Sequence, residues 1–128
     1  MRKTFALLCA AVIISATAPT APTLAVAPNC DRFKPLALEV GWKKRDIPQL
    51  LKICTRESKG FERAWNKKDP WTGSYSIMQI NGSWRGYLIR QGYIKQSMTE
   101  LWRPRLALRV ALHIHNLYGW RPWAGSSA

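Results

Sequence analysis

Acidic side chains are scarce in this sequence: seven aspartates and glutamates stand against twenty lysines and arginines, a formal net charge of +13 over 128 residues. A surplus that large means an anionic partner or none, and charge alone does not separate the phosphates of nucleic acid from those of a cell wall. Histidine is scarcer still. His113 and His115 stand at i and i+2 of one expected helix, on different sides of it, which makes them poor joint metal ligands. No C-x-x-C pair is present. Neither a metal nor a cofactor is therefore expected. Long apolar runs are missing too, since the stretch Phe5 to Ile14 is too short to span a bilayer. There is no internal repeat and no sign of a second domain.

What the short apolar run does fit is export. Arg2 and Lys3 precede it and Ala16-Thr17-Ala18 follows, the order of a secretory signal with a small-residue cleavage site. Cleavage after residue 18 or after residue 27 fits equally, because both sites have the A-x-A form and residues 19–23 read as a flexible or polyproline-like spacer. A lipid anchor on Cys9 does not fit: Leu8 precedes it where a small residue is needed, and Cys9 lies inside the apolar run. Residues 1–27 are thus read as signal and spacer, and 28–128 as one secreted domain, extracellular or in the cell wall. Loss of Arg2 and Lys3 lowers the net charge from +13 to +11, since residues 1–27 hold no acid. Export favours the stem-peptide carboxylates and teichoic phosphates of a wall as partners, and disfavours nucleic acid.

Cysteine is also sparse. Of three in the chain, removal of Cys9 leaves Cys30 and Cys54, an even pair in an oxidising compartment. A disulfide is the expectation, with two unpaired thiols as the alternative. Closing a loop of about 25 residues would stabilise the fold by roughly 3.5 kcal/mol in the chain-entropy model.

Periodicity predicts a mainly helical chain. A short helix is expected over 35–44, ending near Gly41-Trp42, and another over 83–90 before Gly92. Ser97-Met98-Thr99-Glu100 has the form of a capping box for a short helix that ends before Pro104. The longest helix spans 105–118, with Leu106, Val110, Ile114 and Leu117 on one face and Gly119 as terminator. Residues 61–81 lack helical period and should wall a cleft, with a short extended piece at Tyr75 to Met78.

The helix of most interest begins at Asp46-Ile47-Pro48-Gln49, which offers a capping acceptor, a first-turn proline and a glutamine to complete a capping box. Ile47, Leu50, Leu51 and Cys54 then mark an apolar face, and Glu57 takes the next place on it before Lys59-Gly60 ends the helix. A carboxylate on the inner face of a helix is desolvated, and desolvation favours the neutral form that can donate a proton. The bland reading is a solvated glutamate, or one paired with Arg56 or Arg63. Periodicity leaves both open.

Wider patterns favour the first. Thr55-Arg56-Glu57-Ser58 is followed by Ala64-Trp65-Asn66, Asp69 and the run Gly73-Ser74-Tyr75-Ser76-Ile77-Met78-Gln79-Ile80-Asn81. Leu101-Trp102-Arg103-Pro104 comes next, and then Ala111 through Gly119-Trp120-Arg121-Pro122-Trp123. Together these resemble, in order and spacing, the R-E-S, G-S-x-G-x-x-Q-I-N, L-F-D-P and G-W-x-P-W segments of the lysozyme-like superfamily. That superfamily includes the lytic transglycosylases and the goose-type lysozymes, and the resemblance covers residues 30–123. It implies a lysozyme-like single domain with a loop-rich cleft. It also implies a monomeric enzyme that cleaves the β-1,4 bond between N-acetylmuramic acid and N-acetylglucosamine in peptidoglycan.

By the same resemblance Glu57 is the catalytic acid. Ser58, Asp69, Ser74, Tyr75, Gln79 and Asn81 are substrate-binding positions. Most glycosidases use two carboxylates. Goose-type lysozymes resemble that pattern, with aspartates at the Asn81 position and in the loop before it. Here only Asp69 remains. Lytic transglycosylases often carry the asparagine and use one glutamate as acid and then base, which implies 1,6-anhydro products. Hydrolysis through Asp69 is the alternative, and a catalytically silent wall-binding protein is another. Three positions depart from the pattern: Ser76 for glycine, His115 for tyrosine and Arg103 for aspartate. Of the seven tryptophans, Trp42, Trp120 and Trp123 are read as core seals, while Trp71 and Trp84 are cleft candidates.

Overall fold

The computed structural model describes residues 10–15 and 27–125. Among the described residues there are five α-helices, four short 3-10 turns and one three-stranded sheet. The helices are α1 (Lys34–Val40), α2 (Ile47–Ser58), α3 (Arg85–Arg90), α4 (Pro104–Tyr118) and α5 (Arg121–Ala124). Residues 10–15 are irregular and solvent-exposed, Val12, Ile13 and Ile14 included. The rest of the expected signal segment and the cleavage site after residue 18 lie outside the described residues. Among those described, no helix is long and apolar enough to cross a membrane.

The core is built on α4. Pro104 occupies its first turn, where a missing amide hydrogen is harmless, and Leu106, Ala107, Leu108, Val110, Ala111 and Ile114 are all buried. Each of the larger side chains contributes about 1.5–3 kcal/mol of burial. Leu117, expected on this face, is half exposed, because α4 is covered by its neighbours only up to Ile114. Trp42 seals one side, its indole nitrogen donating to the Leu108 carbonyl at 3.0 Å in the interior. Trp123 seals another and donates to the Met78 carbonyl at 2.8 Å.

Helix α2 has the bounds that its period predicts, but a different start. A 3-10 turn over Lys44–Asp46 leads straight into it, leaving Asp46 in a helical backbone conformation with no side-chain capping bond. The expected box with Gln49 therefore does not form. Ile53 is buried in place of Leu51, which is half-buried. At the other end Lys59 itself turns left-handed, φ +53°, and Gly60 follows at +80°, where a Cβ would collide with the Asn29 carbonyl. Cys30 and Cys54 form a disulfide with Cα atoms 6.0 Å apart, and the Cys30 amide donates to Thr55 Oγ1 at 3.0 Å. The start of the domain is thus tied to α2 just before Glu57.

The short helix over Met98–Trp102 has 3-10 geometry and carries the complete Ser97–Glu100 capping box. The Glu100 carboxylate accepts from the amides of Lys95, Gln96 and Ser97, which hold its pKa down at about 2. The sheet is an antiparallel meander of β1 (Trp65–Asn66), β2 (Ser74–Tyr75) and β3 (Ile80–Asn81). Of the extended piece expected at Tyr75 to Met78, only Tyr75 is extended, in β2; residues 76–79 form a turn, with Ser76 at φ +73° and Gln79 at +48°. Helix α5 was not expected from the sequence. It is a single turn opened by Pro122, too short for any period to register.

Candidate active site

Glu57 stands in the last turn of α2 with its side chain 11 % exposed. Its neighbour Arg56 places Nη2 3.0 Å from Glu57 Oε1 and donates from the same nitrogen to the Trp123 carbonyl at 2.6 Å. One guanidinium thus couples the carboxylate to α5. Arg56 is the arginine named in the bland reading, and the structure combines both features: a nearly buried carboxylate and an ion pair.

Facing Glu57 are the sheet and its turn. Gln79 Nε2 donates to the carbonyls of Ser76 and Ala64 at 3.0 and 3.3 Å, and the Ser76 amide donates to Ala64 at 2.8 Å. The turn is thereby pinned to the strand-side loop. Asn81 works on both sides of its amide. Nδ2 donates to the carbonyls of Pro70 and Gly73 at 2.8 and 3.2 Å, while Oδ1 accepts the Ser83 amide at 3.0 Å. A carboxylate there would meet two carbonyl oxygens with no proton to offer. The loop that Asn81 fastens carries Asp69, whose Oδ1 accepts from Asn66 Nδ2 at 3.0 Å.

A pocket of about 160 Å³ lies between these elements. Its lining combines the polar Glu57, Asp69, Ser74, Gln79 and Asn81 with the apolar Ile80, Trp84, Ile114, Pro122 and Trp123. A wider open groove of about 450 Å³ runs past Arg56, Ser58, Lys59, Phe61, Trp65 and Asn66. Glu57 and Gln79 border both spaces, so the carboxylate sits where pocket and groove meet. Cavities lined by both aromatic and polar side chains can stack on sugar rings and bond their hydroxyls.

The structure therefore brings Glu57, Asp69, Ser74, Gln79 and Asn81 into one pocket. Ser58 and Tyr75 lie outside it. Ser58 Oγ donates to the Cys54 carbonyl and accepts the Gly60 amide, both at 3.1 Å, so it shapes the end of α2 and reaches the groove only as lining. Tyr75 is buried, its hydroxyl donating to the Thr72 carbonyl at 3.0 Å, and its ring stacks on Trp65 at 5.6 Å. It supports the groove wall. Trp84 lines the pocket, whereas Trp71 is exposed and does not. His115 packs against Trp42 and Trp120, at 5.2 and 4.3 Å, away from the pocket.

Pocket contributors that periodicity missed are Ile114, Pro122 and Trp123, which read as core or helix-end residues. The G-W-x-P-W spacing is the only sequence signal for Pro122 and Trp123. Ser76 is fully buried, and its Oγ has no hydrogen-bond partner among the described residues. Among the described residues, no three His, Cys, Asp or Glu side chains are grouped to hold a metal ion. The chain matches no family model, no curated protein and no solved structure.

Proposed function

We propose that this chain is a secreted peptidoglycan-cleaving enzyme of lysozyme-like fold, a lytic transglycosylase with Glu57 as its acid and base. The observation that carries the reading is the position of Glu57, nearly buried at the junction of a small pocket and an open groove. A glycan strand lying through both spaces would present a glycosidic bond at that junction. Glu57 donates its proton to the bridging oxygen as the C1–O bond breaks. It then takes the proton of the muramic acid 6-hydroxyl as that oxygen bonds to C1, which closes the 1,6-anhydro ring and restores the acid. Arg56 and Trp123 hold the helix end in register with α5, and Gln79 shapes the opposite wall. No step needs a second carboxylate.

A hydrolytic reading has one observation in its favour: Asp69 borders the same pocket as Glu57. There it would direct a water to C1 in place of the 6-hydroxyl. Glu57→Gln tests the enzyme reading in both forms, since the amide keeps the shape and removes the proton. Clearing of purified cell walls is expected to vanish in that variant. Undiminished clearing would remove Glu57 from the chemistry, and absence of clearing by the wild type would leave a wall-binding protein.

A further inference from the structure

A second concave site lies away from Glu57, where the start of α4 meets the loop after α3. Arg103, Arg105 and Arg109 line a cavity of about 280 Å³ together with Tyr93 and Leu106, and no acidic side chain lines it. Glu39 pairs with Arg105 through an exposed contact, of the kind worth little in water. Neither Arg103 nor Arg109 has a carboxylate within ion-pair distance among the described residues. Arg103 Nε donates to the Glu100 carbonyl at 3.4 Å, and the Arg109 guanidinium lies 5.9 Å from the centre of the Tyr93 ring. Glu100 interacts electrostatically with Arg103 from beyond ion-pair distance and lies outside the lining, so the cavity wall itself carries only positive charge, an arrangement that an anion would relieve.

We infer that this cavity binds the phosphodiester groups of a polyol-phosphate wall polymer. All three cations are arginines, whose planar forks match the oxygens of a phosphate and keep their charge at any working pH. Nucleic acid is the less suitable phosphate carrier. Strand binding draws on free aromatic faces for the bases, and the one aromatic ring here, Tyr93, is already engaged by Arg109 and by His113 at 5.1 Å. A sugar-alcohol phosphate needs no such platform. The site shares no lining residue with the pocket or groove at Glu57, so it can hold a wall polymer while a glycan occupies the cleft. The choice of polymer rests on the proposed wall location, but the anion site itself does not.

The test is binding of purified poly(glycerol phosphate) to the full exported chain carrying Glu57→Gln, so that cleavage plays no part. Arg103→Gln with Arg109→Gln is expected to weaken binding at least tenfold and to reduce the slope of log affinity against log salt by roughly 1.5. Lys34→Gln, at an exposed cation on α1, is expected to change affinity less than twofold. An equal loss in Lys34→Gln would overturn the site in favour of diffuse charge. Tighter binding of single-stranded DNA of matched charge, mapped to the same arginines, would overturn the polymer. Failure of the enzyme reading shows instead as unaltered wall clearing by Glu57→Gln, and leaves these binding results independent.

Discussion

Ser76 carries two separate burdens, and replacing it with glycine should relieve both. Its backbone is left-handed at φ +73°, which costs an L-residue about 1–2 kcal/mol and glycine almost nothing. Its hydroxyl is fully buried without a partner among the described residues, a desolvation penalty of about 1–3 kcal/mol. Against these stands the extra freedom that glycine gives the unfolded chain, about 0.4–1 kcal/mol, and a small void where Cβ and Oγ were. The net expectation for Ser76→Gly is a gain of about 2 kcal/mol. In a domain of roughly 100 residues that raises the melting temperature by about 8–16 °C. Ser76→Ala divides the two causes, since alanine keeps the strained backbone and removes only the hydroxyl. Melts followed by circular dichroism should rank glycine above alanine above serine. A glycine variant no more stable than wild type would refute the reasoning, and an alanine variant matching glycine would refute the backbone part of it.

Other outcomes follow from the same contacts. Asn81→Asp should destabilise by about 1–3 kcal/mol in urea melts at neutral pH, because the carboxylate cannot donate to the Pro70 and Gly73 carbonyls. Glu100 has its pKa lowered from 4.5 to about 2, so between those values the unfolded chain binds more protons. Its stabilising contribution is complete above about 4.5 and is lost as pH falls towards about 2; Glu100→Gln should flatten that part of a stability–pH profile. Replacing Cys30 and Cys54 together by serine should lower stability by about 3.5 kcal/mol in denaturant titration.

How much of this was legible in the sequence depended on whether a residue's task was local. The bounds of α2, the Ser97–Glu100 capping box and the burial of Trp42 and Trp123 all follow from period, caps or bulk. The Asp46 box was misread because a preceding 3-10 turn, set by how the chain enters α2, holds Asp46 in a helical conformation. Strands of two residues carry no alternation to read, so β1 and β3 leave no signal, and residues 76–78 of the turn read as a continuation of the extended Tyr75. In the site, the sequence pattern points to Glu57, Asp69, Ser74, Gln79 and Asn81, which share one pocket, and equally to Ser58 and Tyr75, which lie outside it. What spacing could not reveal is that Asn81 spends its amide on fastening a loop, or that Tyr75 turns inward behind Trp65. Those roles depend on partners ten or more residues away, or on the pleat of a strand too short to predict.

The proposed transglycosylation of peptidoglycan at Glu57 is tested most directly by mass analysis of muropeptides released from purified walls. Transglycosylation yields 1,6-anhydro-muramic ends from the wild type, with no released fragments expected from Glu57→Gln. Reducing ends in their place would transfer the second step to a water directed by Asp69. Fragments released equally by both proteins would contradict the account at its root.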